Sequence, residues 1–213
     1  MTPEPSDAFR VPVERATAEL REKGSRFLAV AAPAATEEQA REVREGERRE
    51  HHDATHHVLA WRSAGGEERC DDDGEPSGTG GRPVLGAIDS AGLADVVVVV
   101  TRWFGGTKLG TGGLARAYGA SAARALLDVP TVCVRPGRVL RIRHAWEDTG
   151  AVAAALNGAG ARRVAERYGA GAELDVAIPE READGLVAAL RDATAGRARV
   201  VTLPGVIRVS CRP

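Results

Sequence analysis

A glycine-rich stretch, TRWFGGTKLGTGGLARAYG, follows five consecutive valines and contains residue types that suit an anion. It extends from Thr101 to Gly119 and holds six glycines, three aromatic residues and one of the chain's two lysines. We expect it to enter a helix near Gly112 and Gly113, where unpaired backbone N–H groups lie at the positive end of the helix dipole. Glycine allows the backbone to approach a ligand closely, and Lys108 adds a mobile positive charge. The stretch therefore predicts a phosphate or carboxylate cradle, although a tight strand–helix crossing without a ligand would have the same pattern.

The spacing of this stretch excludes two familiar nucleotide loops. GGTKLGTGG matches neither the GxxxxGK[ST] pattern nor the GxGxxG pattern. A second stretch, DDDGEPSGTGGRPV, has the same order of features, with glycine and threonine leading into a helix, so the two loops are expected to meet at one cleft. The predicted anion-binding residues are His56, Thr79, Arg102, Gly106, Lys108, Thr111, Gly112 and Gly113.

Acidic and histidine residues leave an enzymatic alternative open. Asp71 to Asp73 and Glu75 could supply oxygen ligands to Mg²⁺, although an acidic surface loop is the more common meaning of such a run. His52 and His56 have a spacing that suits zinc on a helix, but the following VLAW predicts a strand instead. The alternative is a metal-dependent hydrolase or phosphotransferase acting on a small phosphorylated ligand, with catalytic residues His56, Asp72 and Asp73.

Charge is distributed unevenly along the 213 residues, whose net charge is −1. Residues 1–130 carry 16 basic and 21 acidic residues, a net of −5, and residues 131–213 carry 13 and 9, a net of +4. Broad nucleic-acid affinity requires many basic groups, so RNA binding would need a local patch or the second part. The N-terminus resembles no secretory signal, and no apolar run approaches the ~20 residues of a membrane span. We expect a cytoplasmic location and no membrane partner.

Periodicity divides the chain into two mixed units. The first predicts a hairpin turning at residues 23–25, a charged helix from Thr36, a strand from Thr55, a short helix at Pro83, a buried strand of valines and a helix after the glycine stretch. Pro130 and residues 135–137 mark the boundary. The second unit has the order βαββαβ, which is typical of a ferredoxin-like domain.

The outer face of the second sheet is predicted to be neutralised by charge pairs. Arg141 and Arg143 point outward from one strand, and Glu173 and Asp175 point outward from its expected neighbour. An RNA-recognition sheet would present stacking aromatic residues on these strands, and the pattern shows none there.

Three blocks together resemble the IMPACT/YigZ family of translation-linked proteins: DATHHVLAWR, DDDGEPSGTGGRPVL and VVVVVTRWFGGTKLGTGGLARAYG. The resemblance covers residues 25–127, and His57 and Trp103 stand where family members more often have asparagine and tyrosine. It implies an N-terminal domain similar to the second domain of a small-subunit ribosomal protein. The second unit looks like the C-terminal domain of bacterial members, which is similar to modules of elongation factor G.

The expectation is an α+β protein with an IMPACT/YigZ domain at residues 1–130 and a ferredoxin-like domain at residues 131–213. The resemblance implies a binding protein rather than an enzyme, linked to the regulation of translation or stress. The expected partners are RNA, the ribosome or a translation-linked protein. No cofactor and no metal are expected.

Overall fold

A computed structural model describes residues 8–205 and 207–211 of the chain. The chain divides into two compact units at the junction of Cys133 and Val134. The assignment of residues 1–130 and 131–213 to two named domain types stays a prediction. The elements of the first unit are β1 (Phe9–Pro12), β2 (Ala16–Glu22), β3 (Ser25–Pro33), α1 (Glu37–Glu50), β4 (His56–Arg62), β5 (Glu68–Asp71), α2 (Gly81–Ala91), β6 (Val96–Trp103) and α3 (Gly110–Asp128).

The sheet of the first unit is antiparallel and has the order β2-β3-β6-β4-β5. The central strand, β6, is buried on both faces, as its unbroken run of valines predicts. Val96, Val98 and Val100 belong to the core formed with α2 and α3. Val97 and Val99 belong to a second core that includes Ala40 of α1. The first unit therefore has three layers, with α1 on one side of the sheet and the other two helices on the opposite side.

The start of α1 lies at Thr36, as predicted, and two side-chain hydrogen bonds cap it. The Thr36 hydroxyl accepts a hydrogen bond from the backbone N–H of Gln39 at 3.2 Å, and the Gln39 side chain accepts one from Ala35 N–H at 2.7 Å. The predicted hairpin is also confirmed, because β2 pairs with β3 across the turn at Lys23 and Gly24. Both residues have positive φ, and Gly24 lies against the backbone of Gly105. This contact joins the turn to the glycine-rich loop.

The second unit confirms the predicted βαββαβ order. Its elements are β7 (Thr131–His144, which begins in the first unit), α4 (Thr149–Ala159), β8 (Arg162–Tyr168), β9 (Ala172–Pro179), α5 (Glu180–Ala193), β10 (Arg199–Thr202) and β11 (Ile207–Ser210), with a 3₁₀ turn at Trp146–Asp148. The strands follow the order β10-β7-β9-β8, and β11 pairs with another part of β7. Leu140, Ile142 and Val176 face a core that α4 and α5 complete. The protein is thus α+β in two parts, whereas the specific fold names stay predictions.

The charge pairs predicted on the outer face of the second sheet are present. Arg141 lies opposite Asp175 and Arg143 opposite Glu173 in the register of β7 and β9. Arg141 binds Asp175 through two hydrogen bonds of 2.7 and 2.9 Å. Three short strands, β1, β5 and β11, have no counterpart in the prediction. β5 was not predicted because its four residues are all exposed and show no alternation of apolar and polar side chains.

Candidate functional site

A buried polar network lies where β6 ends. Arg102 is 5% exposed, and its Nη1 donates to Glu75 Oε1 at 2.5 Å. The Tyr118 hydroxyl, on α3, donates to the same carboxylate oxygen at 2.7 Å. Burial, followed by the hydrogen bond to Glu75, raises the pKa of Tyr118, so this hydroxyl stays protonated. Glu75 therefore connects the acidic loop before α2 to β6 and α3. The Arg102 guanidinium binds partners within the protein.

Ser25 extends this network to the glycine-rich loop. Its hydroxyl accepts hydrogen bonds from Arg102 Nη2 at 3.3 Å and from the backbone N–H of Gly105 at 3.2 Å. A side-chain Cβ at Gly105 would lie 1.8 Å from the carbonyl carbon of Gly24, so only glycine fits. The loop is consequently held at its first residues by the β2–β3 turn.

The start of α3 has no side-chain cap among the described residues. The helix begins at Gly110, its N-cap residue Leu109 makes no side-chain cap, and its first turn has no acidic residue. The first N–H groups of a helix have no intrahelical acceptor. Lys108, Thr111 and Gly112 are exposed, and among the described residues the side chains of Lys108 and Thr111 have no hydrogen-bond or ion-pair partner. This end of α3 is open to solvent.

Two basic residues lie near that open helix end. Lys108 is two residues before Gly110, the first residue of α3, and Arg116 Nη1 lies 3.5 Å from the place that a Cβ at Gly112 would take. The helix dipole is equivalent to about half a positive charge at this end, so a neighbouring guanidinium is electrostatically unfavourable there. Gly106 and Gly110 have φ values of 84° and 69°, which turn the loop into the helix. Of the predicted residues in this segment, Gly106, Lys108, Thr111 and Gly112 are exposed and Gly113 is partly buried.

The start of α2 has the opposite arrangement. Asp72 accepts hydrogen bonds from the backbone N–H groups of Gly78, Gly80 and Gly81 at 2.7 to 2.8 Å. Although burial works in the other direction, these donors lower the pKa of Asp72 below its usual value. Thr79 is buried, and its hydroxyl donates to the carbonyl of Pro76 at 2.6 Å. The loop before α2 thus places its own carboxylate, that of Asp72, on these N–H groups. The Thr79 hydroxyl already makes a hydrogen bond within the loop.

The remaining aspartates also have partners within the protein. Asp71 pairs with Arg44 at 2.5 Å and accepts from the Asp73 N–H at 2.9 Å. Asp73 pairs with Arg48 at 2.5 Å and accepts from the backbone N–H of His57 at 2.6 Å. Across residues 8–205 and 207–211, no cluster of three or more His, Cys, Asp or Glu residues could hold a metal ion. The aspartates of the acidic run therefore stabilise the loop before α2 through contacts within the protein.

His56, the histidine of the enzymatic alternative, has one ring nitrogen that makes no hydrogen bond with a described residue. Its Nδ1 lies 2.8 Å from the carbonyl oxygen of Asp73, and a carbonyl only accepts, so Nδ1 carries the proton. Nε2 lies 3.8 Å from Glu75 Oε1. His57 is buried, with its Nε2 lacking a hydrogen-bond partner among the described residues, and burial lowers its pKa. His56 thus lies next to the buried network. The backbone N–H of His57 helps to hold the loop before α2 through its hydrogen bond to Asp73.

Sequence reasoning missed the central roles of Glu75, Tyr118 and Ser25. One signal existed: a tyrosine on the buried face of a helix needs a partner for its hydroxyl, and Tyr118 lies on such a face. The partner itself is 43 residues away in sequence, so spacing could not identify it.

These features define a class of two-unit α+β proteins with a glycine-rich crossing between a buried strand and a helix. Comparisons with known proteins agree. Residues 23–126 match the Impact N-terminal domain, and residues 146–197 match a domain of unknown function, DUF1949. The chain is 30% identical over 201 residues to the IMPACT family member YigZ of Escherichia coli K12, covering 92% of this chain and 98% of that protein. The chain belongs to the IMPACT family.

Two further relatives extend this finding. An IMPACT family member of Thermus thermophilus is 55% identical over 106 residues, which are 50% of this chain and 57% of that protein. A crystal structure described as that of a hypothetical protein superimposes with a TM-score of 0.68 at 30% identity, covering 93% of this chain and 98% of the other. Within the described part of the chain, no helix has the length and apolar character needed to cross a membrane.

Proposed function

We propose that this chain is a binding protein in the regulation of translation or of a stress response, and that it holds a phosphate group at the start of α3. The observation that carries the proposal is the contrast in charge: this helix start has no acid in its first turn, while Lys108 and Arg116 lie beside it. An anion here would offset the dipole and both basic side chains at once. The ligand class is a phosphate, free or in an RNA backbone.

Each group would contribute in a different way. The backbone N–H groups at the beginning of α3 would orient the phosphate oxygens, because their directions are fixed by the helix. Lys108 would neutralise the ligand as a flexible point charge. Arg102 and His56 lie beneath the loop and would position it through Glu75 and Ser25, rather than contact the phosphate.

The link to translation comes from the resemblance, and the candidate partners remain RNA, the ribosome or a translation-linked protein. Residues 1–130 have a net charge of −5, so tight binding of long nucleic acids by charge alone is not expected of the first unit. A small number of phosphates held at one helix start agrees better with this balance.

The test is thermal unfolding of the whole chain in inorganic phosphate and in pyrophosphate, with chloride at matched ionic strength as the reference. Ligands that bind only the folded state raise the melting temperature. We expect stabilisation by phosphate in the wild type, and about tenfold weaker binding in Lys108→Ala, which corresponds to one charge-assisted contact of ~1.4 kcal/mol.

Arg82→Ala is the matched control, because Arg82 lies in the first turn of α2, whose N–H groups Asp72 already occupies. This variant removes the same charge and should bind phosphate like the wild type. Equal weakening in both variants would mean that net charge, and not the start of α3, determines the response. No stabilisation by either anion in the wild type would overturn the proposal.

A hydrolase or phosphotransferase is the second candidate, favoured only by the tautomer of His56. With Nδ1 fixed as a donor to Asp73, Nε2 is able to accept a proton. Asp72 and Asp73, which this mechanism needs for a metal, already accept hydrogen bonds within the loop. Release of phosphate from pyrophosphate in the presence of Mg²⁺, lost in His56→Gln, would support this candidate. Its absence in the wild type would reject it for that substrate.

A further inference from the structure

A cleft of ≈ 630 Å³ opens at one end of the sheet in the second unit. The side chains of four arginines line it: Arg143, Arg167, Arg197 and Arg199. The rest of the lining comes from Tyr168, the β8–β9 turn, Ala172, Glu173, His144 and Ala145. All of its lining residues belong to the second unit, and the function proposed above does not use them.

Four charged residues of this cleft, three of them basic, form a row across β10, β7, β9 and β8. Arg199 of β10 lies opposite Arg143 of β7, Arg143 lies opposite Glu173 of β9, and Glu173 lies opposite Arg167 of β8. Like charges directly opposite one another on neighbouring strands are destabilising. The pair formed by Arg199 and Arg143 is therefore unfavourable unless an anion lies between or above them.

The carboxylates of the outer face do not balance these arginines. Glu173 binds Arg143 at 2.5 Å and Arg167 at 3.0 Å, and Asp175 binds Arg167 at 3.0 Å as well as Arg141. Two carboxylates thus serve three arginines, and the pairing predicted between β7 and β9 is complete. Arg197 pairs with Asp148 at 2.6 Å and lies 3.9 Å from Glu147. The side chain of Arg199 makes no hydrogen bond or ion pair with any described residue, so its guanidinium is the unpaired positive charge of the cleft.

Two exposed aromatic rings stand at the edge of the same cleft. Trp146, in the 3₁₀ turn before α4, stacks on Tyr168 at the end of β8, with ring centres 5.9 Å apart. The two residues are 53% and 65% exposed, although large aromatic residues are usually buried to a greater extent. These rings come from the end of the sheet, not from the outer faces of β7 and β9, so the strand pattern could not indicate them. An aromatic platform beside the unpaired guanidinium of Arg199 suits a base and a phosphate.

We propose that this cleft binds a single-stranded nucleic acid. The phosphates would lie along Arg199, Arg143 and Arg167, and an unstacked base would lie on the ring pair of Trp146 and Tyr168. A single strand fits because its bases are free to stack on protein side chains, whereas those of a duplex are stacked on each other. The +4 net charge of residues 131–213 agrees with this location. Single-stranded RNA and DNA share this chemistry and are separated by the experiment.

The experiment is fluorescence anisotropy of a labelled short poly-uridine RNA, titrated with the full chain at several salt concentrations. Single-stranded DNA of the corresponding sequence identifies which of the two sources is preferred. We expect log affinity to fall linearly with log salt, and Arg199→Ala to reduce the slope by about 0.7, the value for one phosphate contact on a single strand. Trp146→Ala should weaken binding about tenfold at every salt concentration, and Trp146→Phe should restore most of it.

Two controls keep the proposal falsifiable. Arg191→Ala removes an exposed arginine of α5 outside the cleft and should leave both affinity and slope unchanged. Arg199→Ala should fold normally, since it removes a like-charge neighbour, and circular dichroism would verify this. Absence of binding at low salt, equal losses in Arg199→Ala and Arg191→Ala, or equal affinity for an RNA duplex would each overturn the proposal.

Lys108→Ala separates this proposal from the function proposed for the first unit. We expect this variant to lose its response to inorganic phosphate and to keep its affinity for the single strand. If the single strand is instead lost in Lys108→Ala and kept in Arg199→Ala and Trp146→Ala, the nucleic acid binds at the start of α3 and the cleft proposal is wrong.

Discussion

The two glycine-rich loops of the first unit lead into neighbouring helices, yet their helix starts differ in charge. At α2, Asp72 accepts three backbone N–H hydrogen bonds and supplies a negative charge. At α3, no side chain caps the helix, the first turn has no acid, and Lys108 precedes it. The difference shows that a glycine–threonine loop before a helix does not by itself define an anion site. What matters is whether an acid within the chain already occupies the N–H groups.

The two loops also differ in how they are held. The loop before α2 is tied down through its aspartates, which bind Arg44 and Arg48 of α1. The loop before α3 is held at its beginning by backbone packing of Gly105 on Gly24 and by the Ser25 hydroxyl. The loop before α2 therefore depends on charge and the loop before α3 on close approach, so substitutions should affect them in different ways.

Gly105→Ala should have the largest effect, since it breaks the contact that holds the loop before α3. Its Cβ would lie within 2.2 Å of three backbone atoms of Gly24 and Ser25, and backbone atoms cannot move aside like a flexible side chain. We expect the free energy of unfolding in urea to fall by about 3 kcal/mol. Gly106→Ala is the control: its φ is positive, but a Cβ there meets no atom within 4 Å, so it should cost about 1 kcal/mol. Equal losses would show that the contact with Gly24 does not hold the loop.

Asp72→Ala should have the second-largest effect, because it removes the side chain that caps the start of α2. Three backbone N–H groups would lose their acceptor, and we expect the free energy of unfolding to fall by about 2 kcal/mol. Ser77→Ala, at an exposed position of the same loop, should change it by less than about 0.5 kcal/mol. Lys108→Ala should be equally mild, since Lys108 has no partner among the described residues. A large loss in Lys108→Ala would contradict the contrast between the two helix starts.

Acid should lower the folding stability through His57, whose backbone N–H donates to Asp73 in the loop before α2. Burial lowers the pKa of His57, with Asp73 opposing the shift and Arg48 adding to it. The unfolded chain, whose histidine has a pKa near 6.5, then binds more protons as the pH falls through that value, so folding stability decreases. We expect the melting temperature to fall between about pH 8 and about pH 5, and less steeply in His57→Asn.

Exposed His52 provides the comparison for this pH effect, since His52→Asn should keep the wild-type slope. A slope that is identical in all three proteins would show that His57 does not contribute. Glu47 is buried against Arg15, and burial raises the pKa of its carboxyl group, so its contribution has the opposite sign to that of His57. Measuring the variants against the same wild type removes this background.

Local patterns were sufficient for much of the fold. The valines of β6 indicated a strand buried on both faces, and Thr36 with Gln39 indicated where α1 begins, because both features depend on residues close in sequence. The register of Arg141 and Asp175 also followed from alternation, once the βαββαβ order was assumed. In contrast, β5 is recognisable only through its pairing with β4, since its own residues are polar and exposed.

The site was less predictable, because its geometry depends on contacts between distant segments. Composition identified the acidic run and the open loop, but not which acid would bind which donor. Asp72 turns back to the start of α2, while Glu75 turns inward to meet Arg102 and Tyr118 from two other elements. Nothing in the spacing of four neighbouring acids distinguishes these outcomes, since each depends on a partner brought close by the folded sheet.

The smallest expected effect tests the comparison most directly, by giving α3 the acid that α2 already has. Thr111→Asp places a carboxylate in the first turn of α3, where the helix dipole favours it, and threonine and aspartate have similar helix propensities. We expect a gain of about 0.5 kcal/mol in the free energy of unfolding and loss of the thermal stabilisation by phosphate, because the new carboxylate would occupy the N–H groups and repel the ligand. Thr111→Asn, which has the same shape without the charge, should show neither the gain nor the complete loss. A phosphate response that survives Thr111→Asp would place the anion somewhere other than the start of α3.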